Sequence, residues 1–216
     1  MYVVTADQRG SKRRGDRVEE LLEWSVAWSK RWSDAVALPL ERTVGDEVQA
    51  VLTDPEAALD LALALMRREV WSVGLGLGNV DLPLAATSRA STGPAFVFAR
   101  RAVERARGRA ETVPLVVACE DMEREEHATA LLQLLGAIVR KRSSAGWEVA
   151  DLDVQELTQK EIAHALGISA QAVSQRKAAA LVDEERRARP LAVALISTDS
   201  ASPVDVSARE RQDGAL

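Results

Sequence analysis

The chain is short of the residues that most often carry chemistry. Its 216 residues include one cysteine and two histidines. Cys119 alone cannot build a disulfide framework or a cysteine-based zinc site within one chain. Its place in the apolar run 113–119 makes it a buried small hydrophobe rather than a nucleophile. His127 and His164 are too few to supply a histidine metal centre or much histidine catalysis. No apolar run approaches the roughly 20 residues that a membrane helix needs. The opening "MYVVTAD" lacks the basic-then-apolar layout of a signal peptide. A soluble, cytoplasmic protein with no membrane partner is therefore expected. Excess positive charge is missing too: 28 Lys and Arg against 33 Asp and Glu leave a net charge of −5. Any nucleic-acid contact must then come from a local patch. What is present is apolar content, at 47% enough for a real core.

Along the chain, periodicity alternates between two kinds. Residues 2–6 form a β-branched run ending at Asp7, followed by the polar, glycine-bearing loop "QRGSKRRGDR". Residues 18–32 have helical spacing, with Trp24, Trp28 and Trp32 on one face as a core or interface stripe. Residues 35–44 and 47–52 read as strands around a Gly45-Asp46 turn. Asp54-Pro55 supplies a cap and a first helical residue for a helix to about residue 68. A strand within 70–80 carries Gly74, Gly76 and Gly78 in alternation, which strips one face of side chains. A packed helix is the commoner cause of such a bare face, and a ligand the other. A helix over 95–107 and a strand over 113–118 follow. From residue 121 the pattern is wholly helical: a long helix to about 142, a short one over 146–151, and a charged one around 183–189. Residues 197–216 are small, polar and aperiodic, and read as a disordered tail.

The most specific motif is "LTQKEIAHALGISAQAVSQRKAAA", residues 157–180. Thr158 and Glu161 make a capping box. Ile162, Ala163 and Leu166 form an apolar face, Gly167 takes a tight turn, and Ser169 caps a second helix that turns Ala172 and Val173 inward. That is the pattern of a DNA-binding helix-turn-helix. Ser169, Gln171, Ser174 and Gln175 are placed to read base edges, and glutamine suits adenine. Arg176 and Lys177 suit phosphates, although Arg176 stands where such helices usually carry an apolar residue. Arg140, Lys141 and Arg142 offer a further basic strip, or simply charge at a helix C-terminus.

At the other end, Asp7 and Asp46 converge on one sheet edge if their strands are neighbours. Such hard oxygen ligands suit Mg²⁺ with nucleotide phosphates. The loop 10–17 adds backbone amides and cations, Arg14 among them. The blocks "YVVTADQRGSKRRGDR", "ERTVGDEVQAVL", "WSVGLGLGNVD" and "GPAFVFARRAVERAR" resemble the SatD family over about residues 2–107. They are similar, more distantly, to the palm of class III nucleotidyl cyclases and GGDEF domains. The resemblance implies Asp7 and Asp46 as metal ligands, and Arg14, Gly45, Gly76 and Arg101 as nucleotide contacts. It departs from the cyclases at Val97, which stands where they carry a transition-state Asn, and this argues against turnover.

The reading is therefore an α+β chain. Residues 1–119 form a ferredoxin-like, cyclase-like palm with an antiparallel sheet, used for dimerisation or sensing. Residues 120–196 form an all-α helix-turn-helix domain. The expected function is a homodimeric transcription regulator bound to double-stranded DNA. A Mg²⁺-dependent nucleotide-binding enzyme of nucleotidyl cyclase type is the alternative.

Overall fold

The computed structural model describes residues 1–198, so most of the expected tail, residues 199–216, lies outside the described residues. The first strand, β1 (Tyr2–Gln8), is buried at every position and sits at the centre of the sheet. It runs two residues beyond the expected end, so Asp7 belongs to the ladder, opposite Glu47 on one side and Ser72 on the other. The loop that follows contains a single helical turn, α1 (Ser11–Arg14). Helix α2 (Val18–Arg31) starts where the Val18 N–H donates to Asp16 Oδ1 at 2.8 Å.

Strands β2 (Val36–Arg42) and β3 (Glu47–Leu52) form the expected hairpin. Its turn needs Gly45, whose φ of 62° is left-handed. Helix α3 (Pro55–Arg67) is capped as its sequence predicts: Asp54 Oδ1 accepts from the Glu56 and Ala57 N–H groups at 2.6 and 3.1 Å. Its face is almost fully apolar, and each buried Leu, such as Leu59, Leu61 and Leu65, contributes about 2 kcal/mol.

Strand β4 (Trp71–Leu77) pairs antiparallel with β1, and β5 (Leu115–Ala118) pairs parallel with β4. The sheet order is β2-β3-β1-β4-β5. The sheet is therefore mixed rather than antiparallel. The reason is the helix α4 (Pro94–Arg107), which carries the chain back over the sheet and returns β5 in the direction of β4.

Gly74 and Gly76 show why α4 can lie so close. A Cβ on Gly74 would sit 2.3 Å from the Val103 backbone nitrogen, and one on Gly76 only 2.1 Å from the Ala95 carbonyl oxygen. The bare face is a helix seat. On the opposite face lie α2, α3, α5 (Met122–Lys141) and α9 (Val182–Ile196), sharing one apolar cluster. That cluster contains Leu132, Leu135 and Val139 of α5 and Ala192 and Ile196 of α9. These two helices, assigned from sequence to the DNA-binding unit, thus pack into the same core as the sheet. The helices between them, α6 (Ser144–Asp153), α7 (Gln159–Leu166) and α8 (Ala170–Ala179), have a small core of their own. Among the described residues no helix is long and apolar enough to cross a membrane.

Candidate nucleic-acid interface

The helices α7 and α8 are built by local chemistry already visible in the sequence. The Glu161 N–H donates to Thr158 Oγ1 at 3.3 Å, while the Thr158 N–H donates to Glu161 Oε2 at 2.8 Å. The Thr158 hydroxyl and then its N–H hold the Glu161 carboxyl below its ordinary pKa. Gly167 ends α7 at φ 64°, and the Ile168 N–H returns to the Ala163 carbonyl at 3.0 Å. Ser169 then caps α8, its Oγ accepting from the Ala172 N–H at 3.1 Å. Val149 of α6, Ile162 and Ala163 of α7, and Val173 of α8 fill the space between the three helices.

This packing leaves Ser169, Gln171, Ser174 and Gln175 exposed on the outer face of α8. Gln171, Ser174 and Gln175, at i, i+3 and i+4, share one side of the helix, so three neutral hydrogen-bonding side chains stand together, with Ser169 at the cap that opens it. The two cations expected beside them are turned inward. Arg176 Nη1 pairs with Glu148 of α6 at 2.9 Å. Lys177 is more deeply committed: its Nζ lies 2.7 Å from Asp153 and 3.4 Å from Asp183, and its side chain is only 12% exposed. Its ammonium thus closes α8 against α6 and α9, which takes it away from the position expected for a phosphate contact. The strip 140–142 is also mostly internal. Arg142 is buried against Glu185 and the Ala180 carbonyl, and Arg140 donates to the Thr112 carbonyl at 3.2 Å. Lys141 and Lys160 remain exposed.

Residues 140–182 match the family model described as Sigma-70, region 4. The matched segment begins at the end of α5, contains α6, α7 and α8, and stops at the first residue of α9. It is a helix-turn-helix, and the match speaks for this segment alone. Neither a curated protein nor a solved structure matches the chain.

The carboxylates of the N-terminal half meet at a second place, an open cleft of about 710 Å³ at one end of the sheet. Asp7 and Asp46 both line it, together with Lys12, Arg13 and Arg107. Arg107 Nε lies 3.2 Å from Asp7 Oδ1. Burial raises the Asp7 carboxyl above its ordinary pKa, Arg107 opposes that shift, and the charges of Asp46 and Glu47 add to it. Glu47 is the direct cross-strand neighbour of Asp7, so the two carboxylates share a face, and Arg100 neutralises Glu47 at 2.7 Å. Sequence reasoning missed both arginines. Their spacing of seven, which puts Arg100 and Arg107 on one side of α4, was the available signal. Ser72, the other neighbour of Asp7, lines the cleft with a buried Oγ that has no hydrogen-bond partner.

None of the four expected nucleotide contacts lines this cleft. Gly76 is covered by α4, and it lies four positions along β4 from Ser72, about 13 Å away at strand rise. Arg101 donates to the Cys119 carbonyl at 2.9 Å and pairs with Glu125. Neither therefore faces the cleft that holds Asp7 and Asp46. Gly45 turns its carbonyl to Arg42 Nη1 at 2.6 Å, and Arg14 is exposed on α1, where Lys12 and Arg13 take the lining positions instead. Val97 is 68% exposed near the start of α4, the end remote from Arg107. Cys119 is buried, as expected, and burial raises its thiol pKa.

Proposed function

We propose that the chain is a cytoplasmic, DNA-binding transcription regulator that reads the major groove with α8. The observation that carries this reading is the outer face of α8, where Ser169, Gln171, Ser174 and Gln175 stand exposed on a capped, well-packed helix-turn-helix. The match of the same segment to Sigma-70, region 4 supports it. Glutamine side chains can bond adenine edges in two places, and serines suit several bases. Arg176 contributes to phosphate contact only if it leaves Glu148. The protein acts as a homodimer, because one such motif offers few contacts and two can address half-sites a DNA turn apart. The sheet unit serves dimerisation or ligand sensing. Enrichment of duplexes from a random pool by the full chain, sequenced and scored for a paired motif, tests this. No enrichment in low salt would overturn it.

A second reading concerns the sheet-edge cleft. The order β2-β3-β1-β4 with β-α-β-β-α-β connectivity supports a ferredoxin-like palm of the SatD and cyclase kind. Lys12, Arg13, Arg107 and the unpartnered Ser72 Oγ favour an anionic ligand such as a nucleotide phosphate. Mg²⁺ fits less well: Asp7 already has Arg107, and no group of three or more metal-type side chains occurs among the described residues. The cleft therefore supports nucleotide sensing better than nucleotidyl transfer. Calorimetry with nucleoside triphosphates, with and without Mg²⁺, separates the two.

A further inference from the structure

A larger groove, of about 1070 Å³, runs between α2 and α3 on one side and α6 and α9 on the other. Tryptophans 24, 28 and 147 line it, and so do arginines 31, 67, 68 and 189. Most of the charge here is already matched. Asp60 accepts from the indole N–H groups of Trp28 and Trp32 at 2.8 and 3.3 Å and faces Arg189 at 3.5 Å. Arg67 makes two hydrogen bonds to Asp151, at 2.6 and 2.8 Å, and lies 3.7 Å over the Trp147 ring. Asp153 holds Lys177 and Arg186, and Glu185 holds Arg142 and Arg189.

Arg31 and Arg68 are the exceptions, and of the two Arg31 is exposed to water over the Trp32 ring whereas Arg68 is half-buried. The Arg68 guanidinium lies 3.7 Å over the Trp24 ring and makes one hydrogen bond, to the Ala64 carbonyl of its own helix at 2.8 Å. Among the described residues it has no carboxylate within ion-pair distance. Burial, with Arg67 alongside, pushes its pKa down to about 10. A guanidinium carries five N–H donors in a flat fork matched to carboxylate, sulfonate or phosphate. Half-removed from water and left without an anion, such a group carries a desolvation cost that a bound anion would offset. A cation of this kind, held over an aromatic ring in a groove wide enough for a small organic molecule, is the recognition chemistry of a flat anion.

We propose that this groove binds a small organic anion with a planar ring, its charged group on Arg68 and its ring against the tryptophan-lined wall. The site joins the sheet unit to the helix-turn-helix. Trp147 and Asp151 belong to α6, which packs directly on α8. Binding of such an anion does not depend on the DNA-binding reading, and either can fail without the other.

The test uses the full chain and 1-naphthalenesulfonate as probe, followed by quenching of tryptophan fluorescence. The neutral analogue 1-naphthalenemethanol serves for comparison. Saturable single-site binding is expected. It should weaken at least about tenfold for the neutral analogue and for Arg68→Gln, the loss of one charge-assisted contact. Arg68→Lys, which keeps the charge but loses the fork, should bind more tightly than Arg68→Gln and more weakly than wild type, while Arg13→Gln in the other cleft should stay within about threefold of wild type. Equal affinity for the two probes, or Arg68→Gln binding as wild type while folded by circular dichroism, would overturn the proposal. Should Arg68→Gln fail to fold, the decision passes to the probe pair and Arg68→Lys. A wild type that shows no saturable quenching also overturns it.

Discussion

Lys177 gives the sharpest separation between a DNA contact and a structural residue. Sequence position alone puts it on the phosphate-facing end of α8, whereas the structure places its ammonium between Asp153 and Asp183. Replacing it with Met keeps most of the stem packing and removes only the charge. Side chains 12% and 11% exposed make the Lys177–Asp153 pair nearly buried, and breaking a buried pair from one side costs about 3–5 kcal/mol. Arg186, 3.2 Å from the other oxygen of Asp153, remains to compensate part of the stranded charge. The expected loss is therefore about 2 kcal/mol. For a chain of this length that corresponds to a melting point lowered by about 4–8 °C.

The assay pairs thermal unfolding by circular dichroism with the salt dependence of DNA binding, measured well below the melting transition on a selected duplex. Each phosphate contact contributes about 0.9 to the slope of log affinity against log salt. Lys177→Met should lower the melting point and leave that slope unchanged. A slope smaller by about 0.9 with the melting point intact would refute the internal placement and restore Lys177 as a phosphate ligand.

Gly76→Ala forces a methyl to within 2.1 Å of the Ala95 carbonyl and 2.4 Å of the Ala99 nitrogen, both backbone atoms of α4. Overpacking of that kind costs about 3 kcal/mol, so a chemical denaturation midpoint near wild type would contradict the helix seat. Gln171→Ala and Gln175→Ala should each weaken binding to the preferred duplex by about 1–3 kcal/mol and relax base preference at one position, while leaving stability alone. Uniform weakening across all sequences would argue against base reading. For Asp7 the sign follows from burial. Its folded pKa is raised above the ordinary 3.8, so the stability it contributes is complete below that value and is lost as pH rises through the folded one. Asp7→Asn stays neutral throughout. Its melting point relative to wild type should therefore climb between pH 3 and pH 7, and a fall would mean that the Arg107 pair dominates.

The parts of the fold legible in the sequence are those fixed by short-range chemistry. Asp54-Pro55, Thr158 with Glu161, Gly167 and Ser169 each satisfy orphan backbone groups within four residues, so their geometry needs no knowledge of the rest of the chain. The alternating glycines told of something large above β4, and the helix proved to be α4. What stayed hidden was set by long-range packing. Nothing local to residues 122–141 says that its apolar side faces a sheet rather than a helical partner. The boundary near residue 119 was drawn where the periodicity changes, yet the core continues through α5 and α9. The parallel return of β5 was hidden for the same reason, since strand direction depends on where α4 crosses.

The candidate interface follows the same division, and charge decides its outcome. Residues 140–182 contain six Lys and Arg against five Asp and Glu, so the segment is almost neutral before any pairing is considered. Ion pairs to Glu185, Glu148 and Asp153 then take up Arg142, Arg176 and Lys177. Lys141 and Lys160 are left exposed. Sequence reasoning counted cations by position on a helix, but availability depends on partners that arrive from α6 and α9. With so few free charges, one copy of this motif gains little from counterion release, the term that dominates non-specific affinity. Under the proposed base reading, Gln171 and Gln175 then need help of another kind. Helix N-termini and neutral donors supply part of it. Under the proposed dimer, duplication supplies the rest, because a second α8 one turn along the duplex raises affinity without adding a basic patch to a chain of net charge −5.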